Sequence, residues 1–301
     1  MLPQRPRDAH KGDFGRVLIV ACSPGMTGAG CMAALAAQKA GAGLVTLALP
    51  AGLNAIAEVK LTSAMSRPLP EPGEPIIGEE AARYVLEHAS EFDVIALGPG
   101  VGTAPETQVA VRRLVAELKT PLIVDADGLN AVAGDTAVLA RAAAPRLLTP
   151  HPGEMARLLG HGGARRVQAD RVGAAADFAT QHHAIVALKG AGTVVTDGEQ
   201  VFVNPTGNPG MAAGGTGDVL TGMAAGLLCQ GLEPLAALQL AVFAHGMAGD
   251  LAVQVTGELS LTAEDVLEHT ARAFQAVGRA GQGADPAELA ASVRATDRDE
   301  G

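Results

Sequence analysis

The chain has 301 residues, 48% of them hydrophobic, and a mean hydropathy of +0.22, so it can build a sizeable core and is not disordered as a whole. Its formal net charge is −10 and only 2% of residues are aromatic, which removes the cationic footprint and the stacking platforms of a nucleic-acid polymer binder and disfavours anionic membranes. Three scattered cysteines, Cys22, Cys31 and Cys229, fit neither a disulfide framework nor a CxxC metal site, and are expected as reduced, buried thiols in a cytoplasmic protein.

In chain order, no apolar signal region is visible over residues 1–10, and the first strand is expected at Arg16–Cys22. Further strands are expected at Leu44–Leu49, Asp93–Leu97, Leu122–Asp125, Arg146–Thr149, Ile185–Leu188, Thr193–Thr196 and Gln200–Val203. Helical patterns alternate with them at Gly30–Ala40, Glu79–Ser90, Pro105–Leu118, Pro152–Leu159 and Arg166–Gln181. Three more follow the last strand, at Thr216–Cys229, Leu235–Val253 and Ala263–Ala276. Continuous apolar strands such as Leu122-Ile-Val read as buried on both faces, which predicts an α/β fold with a mainly parallel central sheet and helices on both faces. The last two strands, joined through Asp197-Gly198, read as an edge hairpin. Arg67–Pro75 reads as a Pro-rich loop. Residues 1–280 are expected to form one domain and residues 281–301 a flexible tail, although a short helix over Pro286–Arg294 is compatible with the sequence. Polar interruptions at Gln230, Glu233, Pro234, Gln239, His245 and Asp250 favour buried helices over membrane spans in Leu220–Val255.

The chemistry concentrates in Asn204-Pro-Thr-Gly-Asn-Pro-Gly-Met-Ala-Ala-Gly-Gly-Thr-Gly-Asp218, just before an apolar helix. Gly214, Gly215, Thr216 and Gly217 would present free backbone N–H groups and a positive helix end to phosphate. Asp218 would repel a phosphate as a ligand, but suits a general base that takes a proton from a hydroxyl attacking phosphorus. The bland alternative is a helix start with a stabilising Asp.

Four other loops follow expected strands: Ser23–Gly30, Gly98–Gly102, Thr149–Glu154 and Lys189–Thr193. With the segment 204–218 they hold 14 of the 38 glycines. His151, set between prolines in a rigid loop, is placed to face a ligand rather than to be merely structural, and Lys189 to meet polyphosphate rather than solvent. Asp125-Ala-Asp127 could hold Mg²⁺ through water or simply order its turn. In a doubly wound sheet these loops converge along one edge, and their joint chemistry is phosphoryl transfer. Neither a Walker A sequence nor a protein-kinase set occurs.

These motifs in this order closely resemble the ADP/ATP-dependent (S)-NAD(P)H-hydrate dehydratases of the ribokinase-like superfamily, from His10 to about Phe274. The pieces that carry the likeness are Gly28-Ala29, Gly98-Pro-Gly-Val-Gly102, Asp125–Asn130, Leu148–Glu154, Leu188-Lys-Gly190 and Asn208–Gly222. One departure is Ala21-Cys22-Ser23, where the family commonly has a Gly-Gly-Ser turn.

The resemblance implies a ribokinase-like three-layer fold and repair of NADH and NADPH damaged by hydration. A nucleotide phosphorylates the hydrate hydroxyl and phosphate then leaves. It also implies that Asp218 is the base and that Gly214–Gly217 cradle the phosphoryl group. Ala29, Gly100, Gly102 and His151 would line the hydrate site with Asp218, while Lys189, Gly190, Ala191, Gly192, Thr193 and Gly217 would meet the nucleotide. Mg²⁺ and ADP, the donor in bacterial members, are the expected cofactor and co-substrate. Only five of the 22 basic residues are lysine, an arginine-heavy bacterial-type composition. The motif starts at His10, leaving no room for the epimerase domain of some members, so a separate epimerase is expected. A homo-oligomer, such as a tetramer, is expected too.

Overall fold

The computed structural model describes residues 2–160, 163–280 and 285–295. In chain order the elements are β1 (Arg16–Val20), α1 (Thr27–Lys39), β2 (Leu44–Pro50), α2 (Asn54–Lys60), β3 (Met65–Leu69), α3 (Glu79–His88) and β4 (Val94–Leu97). There follow α4 (Pro105–Glu117), β5 (Leu122–Val124), α5 (Asp127–Ala133), β6 (Arg146–Leu148), α6 (Pro152–Leu158), α7 (Gly163–Ala169) and α8 (Arg171–His182). The last are β7 (Ile185–Leu188), β8 (Val194–Thr196), β9 (Val201–Val203), α9 (Thr216–Leu228), α10 (Pro234–Thr256), α11 (Ala263–Ala280) and α12 (Pro286–Ala295).

The nine strands form one sheet in the order β3-β2-β1-β4-β5-β6-β7-β8-β9. All neighbours are parallel as far as β7, and β8 and β9 close the edge antiparallel, as the hairpin reading requires. Alternate strand residues serve opposite layers. Val17 and Ile19 join one apolar cluster with residues of α1, α9, α10 and α11, while Leu18 and Val20 join another with residues of α3–α8. The three-layer expectation therefore holds.

Most differences from the sequence reading have local causes. Part of the expected Pro-rich loop is strand β3, which pairs with β2 at the sheet edge, where Pro68 does least harm to the ladder. The single helix expected over Arg166–Gln181 is two, because Asp170 breaks it: its carboxylate accepts the Gly173 N–H (2.8 Å) and starts α8 afresh. Of the expected tail, residues 281–284 and 296–301 lie outside the described residues. Between them α12 buries Ala290 and Val293, and the Val293 carbonyl accepts from Gln254 of α10 (2.8 Å). Helix α10 is long and apolar enough to cross a membrane, but 67% of its most apolar window is buried within the fold.

Two features fix where the site lies. Registers Val20↔Leu97, Leu97↔Val124, Val124↔Leu148 and Leu148↔Val186 bring five parallel strands to their carboxyl ends at the same edge. Helix α9 is seated by close approach to α1: a Cβ at Gly222 or Gly226 would run into the Ala33 or Ala37 carbonyl. That seam of small residues aims the α9 N-terminus at the same edge.

Candidate active site at the carboxyl edge of the sheet

The strand ladder continues into the loops. Cys22 N–H donates to the Pro99 carbonyl (3.0 Å), Asp125 to Leu97 (3.1 Å), Thr149 to Val124 (3.2 Å) and Lys189 to Pro150 (2.8 Å). The loops after β1, β4, β5, β6 and β7, far apart in the sequence, are thereby held side by side. Cys22 has φ +77, a conformation glycine takes without strain, so the Cys departure falls on a position where glycine would fit more easily.

At the centre lies a buried charged cluster. Asp125, 1% exposed, accepts the Lys189 ammonium on Oδ1 (2.7 Å) and the Thr221 hydroxyl on Oδ2 (2.7 Å). Glu154 stands 3.9 Å from the same ammonium. Burial opposes the Lys189 charge, but the Asp125 and Glu154 carboxylates outweigh it and hold its pKa above the ordinary value. Burial, with Asp125 nearby, pushes Glu154 up to about 7. Asp218, in the first turn of α9, is likewise raised to about 7, mainly by burial and then by Asp125, with Lys189 pulling the other way. A helix N-terminus ordinarily favours carboxylate, so burial and Asp125 prevail over the dipole here.

His151 caps α6. Its Nδ1 accepts from Gly153 (2.9 Å) and Glu154 (3.2 Å) N–H, while Glu154 Oε2 accepts the His151 N–H (2.7 Å). Burial and then Lys189 lower its pKa, and the two bonds accepted at Nδ1 assign the ring proton to Nε2. Gly102 N–H donates to Asp127 Oδ2 (3.0 Å), and Gly100 packs so closely on Met26 and Ala29 that a Cβ would stand 3.2 Å from the Ala29 Cβ. Ala126 lies between the two aspartates at φ +50 and ψ −121, a strained conformation for a non-glycine residue.

Beside this cluster opens a cavity of about 560 Å³ between Lys189–Thr193, residues 204–217 and α10. Lys189, Gly190, Ala191, Gly192, Thr193 and Gly217, the expected nucleotide residues, all line it. Arg171 ties their loop down, its guanidinium donating to the carbonyls of Leu188 (2.8 Å), Lys189 (3.3 Å) and Gly192 (3.4 Å). A Cβ on Gly217 would stand 3.3 Å from Lys189 Nζ, so this glycine lets the α9 start approach the ammonium. Gly214 is exposed and Gly215 takes φ +92 as the α9 N-cap.

Sequence reasoning missed His245, whose Nε2 bonds the Thr216 carbonyl (2.9 Å) from the cavity wall and whose pKa burial lowers to about 4. It also missed Thr221. The signal was its helical spacing: Thr221 lies three residues after Asp218. Among the described residues no group of three or more His, Cys, Asp or Glu could hold a metal. Asp127 accepts from Gly102 and from Asn130 (3.2 Å), bonds that order the turn between the two aspartates.

The sheet, its flanking helices and this edge define an α/β protein of ribokinase-like architecture. Arabidopsis thaliana ribokinase shares the fold at 17% identity and a TM-score of 0.52, over 85% of this chain and 98% of that one. A family model for NAD(P)H-hydrate dehydratase matches residues 17–272, and the chain belongs to that family. The bifunctional NAD(P)H-hydrate repair enzyme of Moorella thermoacetica is 49% identical over 269 residues, covering 89% of this chain and 50% of that protein. This chain spans about half the length of the curated relatives it matches. The ADP/ATP-dependent NAD(P)H-hydrate dehydratase of Bacillus subtilis, co-crystallised with ATP/Mg²⁺, is 30% identical with a TM-score of 0.77, over 91% of this chain and 94% of that one.

Proposed function

We propose that this chain dehydrates the S epimer of NADH hydrate and NADPH hydrate, using ADP and releasing AMP and phosphate. The observation that carries the reading is Asp218, a carboxylate raised to about 7 where the α9 start, Lys189 and the nucleotide-sized cavity meet. Half ionised near neutrality, it can take the proton of the hydrate hydroxyl. The oxygen then attacks the terminal phosphorus of ADP, and AMP leaves. The N–H groups of Thr216, Gly217 and Asp218 at the helix start suit the charge that grows on the phosphoryl oxygens. Hydroxide is a poor leaving group and phosphate a good one. The ring nitrogen lone pair therefore expels phosphate from the adjacent carbon, and loss of a proton from the next carbon restores the double bond.

Ala29, Gly100, Gly102 and His151 would seat the hydrate, and Lys189–Thr193 with Gly217 the nucleotide. Magnesium, in this reading, enters on the nucleotide phosphates, and no step is assigned to it. The choice of ADP rests on the resemblance to bacterial members. The R epimer would need an epimerase. A cytoplasmic homo-oligomer completes the reading.

The test mixes hydrated NADH with the protein and either ADP or ATP, following the dihydronicotinamide absorbance. Recovery is expected with both, at higher kcat/KM with ADP and with one AMP per NADH. No recovery with either, alongside stable phosphorylation of another alcohol, would instead indicate a kinase that keeps its product.

A further inference from the structure

The site presents an electrostatic problem. Both proposed reactants are polyanions, yet Asp125, Asp127, Glu154 and Asp218 crowd the centre, and the cations beside them are largely committed. Lys189 is bound to Asp125, and Arg171 spends its guanidinium on three carbonyls of the nucleotide loop. On the hydrate side another cation stands ready. Arg157, on α6, is exposed, and its Nη1 donates to Asn130 Oδ1 (2.8 Å).

Asn130 in turn donates to Asp127, and Asp127 accepts the Gly102 N–H. The guanidinium also folds back toward the helix start: a Cβ on Gly153 would lie 4.0 Å from its Nη2. It is close enough to lower the pKa values of both His151 and Glu154. Arg157 is therefore tethered beside two of the three loops expected to seat the hydrate, and among the described residues Asn130 is the only hydrogen-bond partner of its guanidinium.

We infer that Arg157 binds the diphosphate bridge of the hydrated dinucleotide, with Asn130 holding its guanidinium in the orientation for that contact. This rests on the proposed dehydratase reading and deepens it. A planar guanidinium with open N–H groups matches a diphosphate better than an ammonium does. It would offset the acidic centre by drawing the substrate in through the end remote from the reacting carbon.

The experiment compares Arg157→Gln and Arg157→Lys with the unaltered enzyme. Activity of the unaltered enzyme on hydrated NADH tests the dehydratase reading independently. Given that activity, Arg157→Gln should raise KM for hydrated NADH about 10- to 100-fold, the range of a hydrogen bond to a charged group. Its kcat should stay within about threefold, its ADP titration should be unchanged, and Arg157→Lys should recover part of the loss. Asn130→Ala, which keeps the cation and frees it, should give an intermediate KM.

The discriminating substrate is the hydrate of dihydronicotinamide riboside, which has no phosphate. There Arg157→Gln and the unaltered enzyme should have the same kcat/KM. An equal loss on both substrates would make Arg157 a structural support of the loops, and an unchanged KM on hydrated NADH would remove it from binding. Either result overturns the inference.

Discussion

The two sides of the proposed reaction centre, one for the nucleotide and one for the hydrate, are built by different means. On the nucleotide side the cavity wall is mostly backbone and small residues: Lys189–Thr193, the glycine- and proline-rich run 204–217, and a single imidazole, His245. On the hydrate side the geometry is carried by side-chain relays, Gly102–Asp127–Asn130–Arg157 and the His151–Glu154 cap. A wall of backbone offers N–H donors wherever glycine allows approach, which suits phosphates. A relay of side chains fixes a few polar groups at set points, which suits recognition of one stereoisomer. Asp218 and the Asp125–Lys189 pair stand where the two constructions meet.

Three perturbations bear on that division. The largest effect is expected from Asp218→Asn, which removes the proposed base with a nearly isosteric side chain. Turnover should fall by about 10²- to 10⁴-fold, while ADP binding by calorimetry changes little; unaltered turnover would remove Asp218 from the chemistry.

Lys189→Ala should damage the junction itself. It strands Asp125, 1% exposed, without its cation, at a cost of about 3 kcal/mol in urea unfolding. It should also weaken ADP binding by at least about tenfold. Loss of stability with unchanged ADP affinity would reduce Lys189 to a structural ion pair.

The smallest effect is on pH. Asp218 must be ionised to act, so log kcat/KM should fall with a slope of one as pH drops below about 7. Asp125→Asn removes a carboxylate that raises Asp218 and leaves Lys189 to lower it, so the limb should move to lower pH. A limb that stays fixed would assign the titration elsewhere, Glu154 being the obvious candidate.

Much of this division was legible in the sequence. The glycine-dense run before α9 and the punctuated strands β4 to β7 announced the edge, because those signals are local. The stretches that line the cavity, consecutive in the chain, were legible almost residue by residue. The relays were not: Asn130 and Arg157 are 27 positions apart, and only the β5–β6 register brings them together. His245 sat inside an apolar helix as one polar interruption, with nothing nearby to show which wall it faced. Strand β3 was hidden because edge position, not propensity, tolerates its proline.

The strained peptide at Ala126 has a wider consequence. Asp125 and Asp127 are near neighbours in the chain, yet one serves Lys189 and Thr221 and the other serves Gly102. The backbone reversal between them makes the tripeptide a partition with a carboxylate on each face. In the proposed reaction, two highly charged guests would lie on either side of it, with their nonreacting parts kept apart. Gly217 faces that partition, its absent side chain leaving the Lys189 ammonium and the Asp125 carboxylate close to the α9 start.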